Sequence, residues 1–336
     1  MGLWQSYRMR LRRQRLLIRA FRKRRELRPV HLRLGKIGSD DILLFSTLRN
    51  EMDRLPHFLR HYRKQGVGHF LIVDNCSGDG SGEYLRAQPD VSLWRAEASY
   101  RRARYGMDWL NRLLMVHGHG HWCVTVDPDE LLVFPFCDTR PLRALTDWLD
   151  SSGLRSFSAM LLDLYPRGDL TAEPESDMTD PLAAACWFDP GNYRMQRNPV
   201  YHNLWIQGGP RERAFFAEQP QRAPALNKIP LVRWERGYAY ASSTHMLLPR
   251  SLNMVYDEAG GEKASGCLLH AKFLSTFVEK SAEELTRRQH YADSHEYKAY
   301  HSGLRDGPEF WCEQSCELRD WRQLEELGLI STGNWA

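Results

Sequence analysis

The feature that most constrains this chain is a series of short apolar runs, each closed by a polar turn, with a helical pattern between them. Ile42-Leu43-Leu44-Phe45-Ser46-Thr47-Leu48 reads as a strand and is followed by Arg49-Asn50-Glu51. Leu55, Phe58, Leu59 and Tyr62 then recur at the spacing of one helix face. Phe70-Leu71-Ile72-Val73 is a second strand, and it ends directly in Asp74-Asn75-Cys76-Ser77-Gly78-Asp79-Gly80-Ser81. Strand, helix, strand and polar turn in this order predict a βαβ unit with its ligand edge exposed, and therefore an α/β fold.

The pattern continues with Val91-Ser92-Leu93-Trp94 as a third strand and an amphipathic helix over 106–117 that carries Met107, Leu110, Leu113 and Leu114. His121-Trp122-Cys123-Val124-Thr125-Val126 is a fourth strand, closed by Asp127-Pro128-Asp129-Glu130, and residues 158–165 form a fifth. Residues 166–181, rich in Pro, Gly, Asp, Glu and Thr, read as a loop or lid. Ligands of open α/β sheets sit beyond the carboxyl ends of the strands, so 47–51, 74–81 and 127–130 are expected to converge on one crevice. Asp127 and Asp129, one residue apart at a strand end, suit a hard divalent cation that prefers oxygen ligands. Asp-x-Asp with an intervening Pro128 also suits an ordinary turn, so the argument rests on three polar strand ends together.

Arg49-Asn50-Glu51, Asp74-x-x-Ser77-x-Asp79-x-Ser81 and Asp127-Pro128-Asp129-Glu130, each after a strand, resemble the family 2-like glycosyltransferases of the GT-A fold. They resemble more specifically the bacterial branch related to family 92. The resemblance continues through Gly208-Gly209-Pro210-Arg211-Glu212-Arg213, Lys228-Ile229-Pro230-Leu231-Val232-Arg233-Trp234, Ser243-Thr244-His245 and Leu269-His270-Ala271-Lys272-Phe273, so it covers residues 41–300. It implies a Rossmann-like nucleotide-diphospho-sugar transferase fold, with a mixed central sheet flanked by helices. Residues 41–165 would be the nucleotide-sugar-binding half, 166–300 the acceptor-side half of the same domain, and 301–336 a C-terminal helical tail.

The activity implied is inverting transfer of a sugar from a nucleotide-diphosphate donor, a UDP-sugar in the first instance, to a glycan or lipid-linked acceptor, in surface polysaccharide or glycoconjugate synthesis. Mn²⁺ or Mg²⁺ is the implied cofactor, with Asp127, Asp129 and His270 as ligands. Asp74 would bond the base, and Thr47, Arg49, Asn50 and Glu51 would line the base and ribose pocket. Arg211, Arg213 and Lys272 would face the phosphates. Asp79 and Ser81 read as turn and N-cap residues, and Asp74 also suits a turn cap. Histidines 245 and 270 are open to a second reading as satisfied core residues. The Glu-Asp pair that supplies the general base in many family 2 enzymes is absent, which leaves Glu212, Asp163 and Asp257 as base candidates.

Seven cysteines, an odd number with no Cys-x-x-Cys pair, fit reduced thiols and a cytoplasmic setting. Residues 1–28 hold eleven Arg and Lys and one acid, an excess of ten; removing it from the chain's net +4 leaves the rest at minus six. Leu11, Leu16, Leu17, Ile18 and Phe21 interleave the arginines, so this segment is expected to be a basic amphipathic tail that binds an anionic membrane surface and is dispensable for catalysis. A peripheral position on the inner face of the membrane follows from that expectation, because no apolar run is long enough to span. The acidic body argues against a nucleic-acid-binding protein with an Arg-rich arm. Another metal-dependent nucleotide enzyme, a phosphodiesterase or nucleotidyltransferase, shares the carboxylates but normally needs more of them to hold two metal ions.

Overall fold

A computed structural model describes residues 3–168, 180–255, 263–273 and 309–335. The expected loop over 166–181 falls largely outside them, as do Asp257 and residues 274–308.

The βαβ unit is present as expected. Strand β1 is Arg28–His31, β2 is Ile42–Leu48, β3 is Val67–Asp74 and β4 is Val91–Arg95. Helix α1 is Leu3–Lys23, and α2, Leu55–Lys64, buries Leu55, Phe58, Leu59 and Tyr62, the four residues of its apolar stripe. Helix α3 is Ser81–Ala87, and α4, Met107–Leu113, continues through a π turn to Gly118. The chain then adds β5 (Trp122–Thr125), β6 (Glu130–Val133), helix α5 (Leu142–Ser151), β7 (Ser156–Asp163) and helix α6 (Pro181–Ala184). The later elements are β8 (Trp187–Phe188), β9 (Tyr193–Arg197), β10 (Leu204–Gly208), helix α7 (Gly209–Phe215), β11 (Asn227–Arg233), β12 (Ala239–Ser242), β13 (Met246–Leu248), β14 (Ser265–His270) and β15 (Cys316–Glu317).

Nine strands form one mixed sheet in the order β1-β4-β3-β2-β5-β11-β7-β14-β6. Strands β4, β3, β2 and β5 run parallel, β11 is inserted antiparallel between β5 and β7, and β14 runs parallel to β7. Both faces are covered. Ile42, Leu44, Phe70 and Ile72 pack with α2 and α5 on one face, and Leu43, Phe45, Leu71 and Val73 pack with α4 on the other. Successive side chains of a strand point to opposite faces, so strands covered on both sides read as continuous apolar runs. The molecule is thus an α/β structure with a large mixed sheet flanked by helices, and the second half of the chain places β11 and β14 within the sheet begun by the first half.

Three expectations need correction. Residues 208–213, read as a loop, are the end of β10 and the helix α7. A side chain at Gly208 would meet the carbonyl of Asn192 at 2.2 Å, so this glycine admits a neighbouring strand and not a ligand. Among the described residues of 301–336, only Trp321–Glu326 are helical; Trp321, Leu324, Ile330 and Trp335 belong to the main core, and Ser265 bridges Ser331. Residues 3–23 are a helix as expected, but a docked one. Leu16 and Ala20 are buried, Arg19 Nε lies 2.5 Å from the fully buried carboxylate of Asp108 on α4, and the indole N–H of Trp109 donates to Glu26 at 2.9 Å.

Candidate functional site

The parallel strands β4, β3, β2, β5, β7 and β14 all end at one edge of the sheet, and the antiparallel β6 and β11 begin there. Residues 47–51, 74–81 and 127–130 therefore meet, as the polar strand ends predict, and residues 52–54 and 270–272 join them. Their backbones are stapled together. Arg49 donates to the carbonyls of Asn75 and Cys76 at 3.0 Å each, and Asn50 accepts at Oδ1 from Gly78 N–H at 2.9 Å. Ser77 and Ser81 accept from the N–H groups of Asn50 and Glu51, and Asp79 accepts from Met52 N–H and caps Ser81. Ala271 N–H donates to Asp129 O at 3.0 Å.

At the centre lies a row of alternating charge. The Arg54 guanidinium approaches Asp129 at 3.7 Å and Glu51 at 3.2 Å. His270 Nε2 lies 3.2 Å from Asp129, and His270 Nδ1 lies 2.6 Å from Asp163 Oδ1. Arg211 Nε, on α7, donates to Asp163 Oδ2 at 2.7 Å. The sequence Arg54, Asp129, His270, Asp163, Arg211 is buried at every member except Asp129, whose side chain is 20% exposed. A second pair stands beside it: Lys228 Nζ lies 2.9 Å from Glu130 Oε1, while Glu130 Oε2 accepts from Asp127 N–H at 3.2 Å.

Electrostatics separates the two aspartates of the Asp-Pro-Asp turn. Burial acts against ionisation of both. At Asp129 the charges of His270, Arg54 and Lys272 outweigh burial and hold the carboxyl well below the usual range. At Asp127 the Glu130 carboxylate adds to burial and overrides Lys228, and the group is pushed up to about 7. His270 goes the other way from an ordinary buried histidine: burial lowers it, and Asp129 and Asp163 together raise it. Asp127 is the strained member, a half-buried carboxylate beside another carboxylate, which a cation would relieve. Asp127, Asp129 and His270 thus fit a divalent cation in kind, although among the described residues no three Asp, Glu, His or Cys side chains stand together as a finished metal cage. Lys272, beside Asp129, is placed to add positive charge at the same point.

Other expected residues have local partners. Asp74 is buried and its Oδ1 accepts from both the N–H and the hydroxyl of Ser77, which is the turn-cap arrangement. Thr47 is also buried, and its hydroxyl is unpartnered next to Gly106, the residue before α4. Arg213 clamps Asp189 at 3.0 Å and the carbonyl of Phe310, and Glu212 pairs with Arg194 at 2.6 Å. His245 is a partly buried histidine satisfied within the protein: burial and Lys228 bring it down to about 3, and Asn227 O bonds its Nδ1.

Asp163, a base candidate by sequence, is about 1% exposed and committed to two cations, so it cannot reach an acceptor hydroxyl. Its geometry is that of a carboxylate that orients a histidine. Asp163→Asn is therefore expected to lower stability by about 3 kcal/mol, the scale of breaking a buried ion pair, as read by urea unfolding. Normal stability with lost turnover would restore the base assignment.

The residues that sequence reasoning missed are Arg54, Glu130 as a charged partner, and Lys228. Lys228 carried one signal: a lysine that directly precedes the apolar run Ile229-Pro230-Leu231-Val232. Neither protein-family models nor curated proteins provide a match to this chain.

Proposed function

We propose that the strand-end crevice is the donor site of a metal-assisted glycosyltransferase of the GT-A type, which moves a sugar from a nucleotide-diphosphate donor to a glycan or lipid-linked acceptor with inversion. The observation that carries the reading is the convergence of the Asp127-Pro128-Asp129 turn, His270 and Lys272 at the carboxyl edge of a mixed sheet. Asp127, Asp129 and His270 would hold Mn²⁺ or Mg²⁺. When bound, that ion supplies the positive charge a departing diphosphate requires. Lys272 adds a second positive charge there.

Arg54 and Asp163 position the pair Asp129 and His270, and Arg211 neutralises Asp163. Arg211 and Arg213 act within the protein in this reading, so phosphate recognition falls to Lys272 and the backbone of the turns. The unpartnered Thr47 hydroxyl marks the base and ribose side, where the stapled 49–52 and 75–81 segments form a fixed wall. With Asp163 committed elsewhere, Glu212 is the remaining described base candidate, and its carboxylate lies 2.6 Å from Arg194.

The test is a thermal-shift panel of UDP, GDP, ADP and CDP with and without Mn²⁺, followed by turnover of the matching nucleotide sugar. One diphosphate is expected to raise the melting temperature by about 4 °C at a hundredfold excess over Kd, and only with the metal. No stabilisation by any diphosphate would remove the donor site. Metal-dependent hydrolysis with no gain from any sugar acceptor would replace transfer by phosphodiester or pyrophosphate hydrolysis.

A further inference from the structure

Helix α1 has two apolar stripes where a docked helix needs one. Its inner stripe is Leu16, Met9 and Leu17, which pack against Tyr201, Ala239, Ala241 and Leu248, and the fully buried Ala20. Its outer stripe is Trp4, Leu11 and Ile18, seven residues apart, with Tyr7 and Phe21 alongside. Trp4 is 70% exposed, and Tyr7, Ile18 and Phe21 are each about half exposed. Residues at seven-residue intervals return to one face of a helix, so these side chains form a row. Arg8, Arg15 and Arg22, each four residues after a member of that row, make a parallel basic row, and all three are exposed. The rings of Trp4 and Tyr7 are stacked at 6.0 Å. The first acidic residue of the chain is Glu26, beyond the end of α1.

We propose that this outer face is a contact surface for a bilayer of acidic phospholipid, held rigidly on the body of the protein. The chemistry of the two rows decides the partner. Aromatic and aliphatic side chains enter the boundary of an acyl layer while the neighbouring arginines meet lipid phosphates. The charge match is confined to this helix, because residues 29–336 carry a net charge of minus six. A nucleic acid would be repelled by that body, and it would have no use for Leu11 and Ile18. The helix lies in the plane of the interface and does not cross it: no helix among the described residues is long and apolar enough to span a membrane. Arg19 fixes α1 to Asp108 in the first turn of α4, so a bilayer on the outer face also sets the orientation of the sheet's carboxyl edge.

Deletion of the segment is a poor test, because its inner face is part of the core. Full-length protein with Trp4→Ser, Tyr7→Ser and Ile18→Ser, and a second with Arg8→Gln, Arg15→Gln and Arg22→Gln, alter only the outer face. Co-sedimentation with vesicles of equal parts phosphatidylglycerol and phosphatidylcholine should show binding by the parent protein, little binding to pure phosphatidylcholine, and release at high salt. Each triple variant is expected to lose vesicle affinity by at least about tenfold, with an unchanged melting temperature. Undiminished binding by the Trp4, Tyr7 and Ile18 variant, or equal binding to neutral vesicles, would overturn the proposal. Tighter binding to duplex DNA than to the acidic vesicles at the same salt would assign the face to nucleic acid instead.

Discussion

Asp129→Ala is expected to abolish transfer and to destabilise the protein, whereas Asp127→Asn abolishes transfer without destabilising it. The two residues stand one apart, yet their surroundings are opposite in sign. Asp129 is the anion between two buried cations, Arg54 and His270. Its removal leaves Arg54 with Glu51 and Asp53 only, and leaves His270 with Asp163 only. The cost is about 3 kcal/mol, at the lower end for a broken buried pair, because part of the site is open to water. The charge row makes this residue part of what holds the fold as well as part of the proposed site.

Asp127 is in the contrary position. Glu130 and burial oppose its charge, so replacing it with the neutral isostere removes repulsion, and the melting temperature should hold or rise. Transfer and the Mn²⁺-dependent response to nucleotide diphosphate should fall in both variants by about a thousandfold, the scale of losing one preorganised electrostatic partner. Urea unfolding and initial-rate measurements on the pair separate the two effects. Full activity with unchanged metal dependence in either variant would move the site away from this turn.

What the sequence made legible was the part of the fold whose cause is local. The stripe Leu55, Phe58, Leu59 and Tyr62 predicted the buried face of α2 because helix periodicity is written in consecutive residues. The meeting of 49–52 with 75–81 followed from the rule that strand ends gather at one edge. That rule concerns carboxyl ends, and this is why Lys228 escaped it: β11 runs antiparallel, so its first residues share an edge with the last residues of β5 and β7. Glu130 escaped because β6 starts directly after the turn and returns beside β14, a pairing that no local pattern announces. Gly208-Gly209 suggested a ligand loop; the same residues are equally required where a neighbouring strand comes within van der Waals range. The arginines of 211 and 213 show the same limit: a guanidinium that forks onto phosphate and one that forks onto a buried aspartate have the same sequence.

Deletion of residues 1–26 is expected to leave a protein that does not fold stably, in contrast to the dispensable tail that the charge pattern suggests. The inner stripe of α1 covers Ala239, Ala241 and Leu248, all of them at or near full burial. Losing Leu16 alone removes about 2 kcal/mol of apolar burial, and the uncovered partners add to it. The buried Asp108 loses Arg19 and keeps only Arg104 at 3.4 Å, and the Trp109 indole loses Glu26. Water reaching Asp108 after the deletion moderates that loss, so the total is about 5 kcal/mol, comparable to the whole stability of many single domains. Expression of the truncated chain should give aggregated protein, or soluble protein with a melting transition lowered by about 10 °C. Ala20→Glu, which forces a carboxylate into a fully buried position of the same interface, should reproduce most of the effect in the full-length chain. A truncated protein that melts with the parent and turns over a soluble substrate at the parental rate would return the helix to the status of a loosely attached arm.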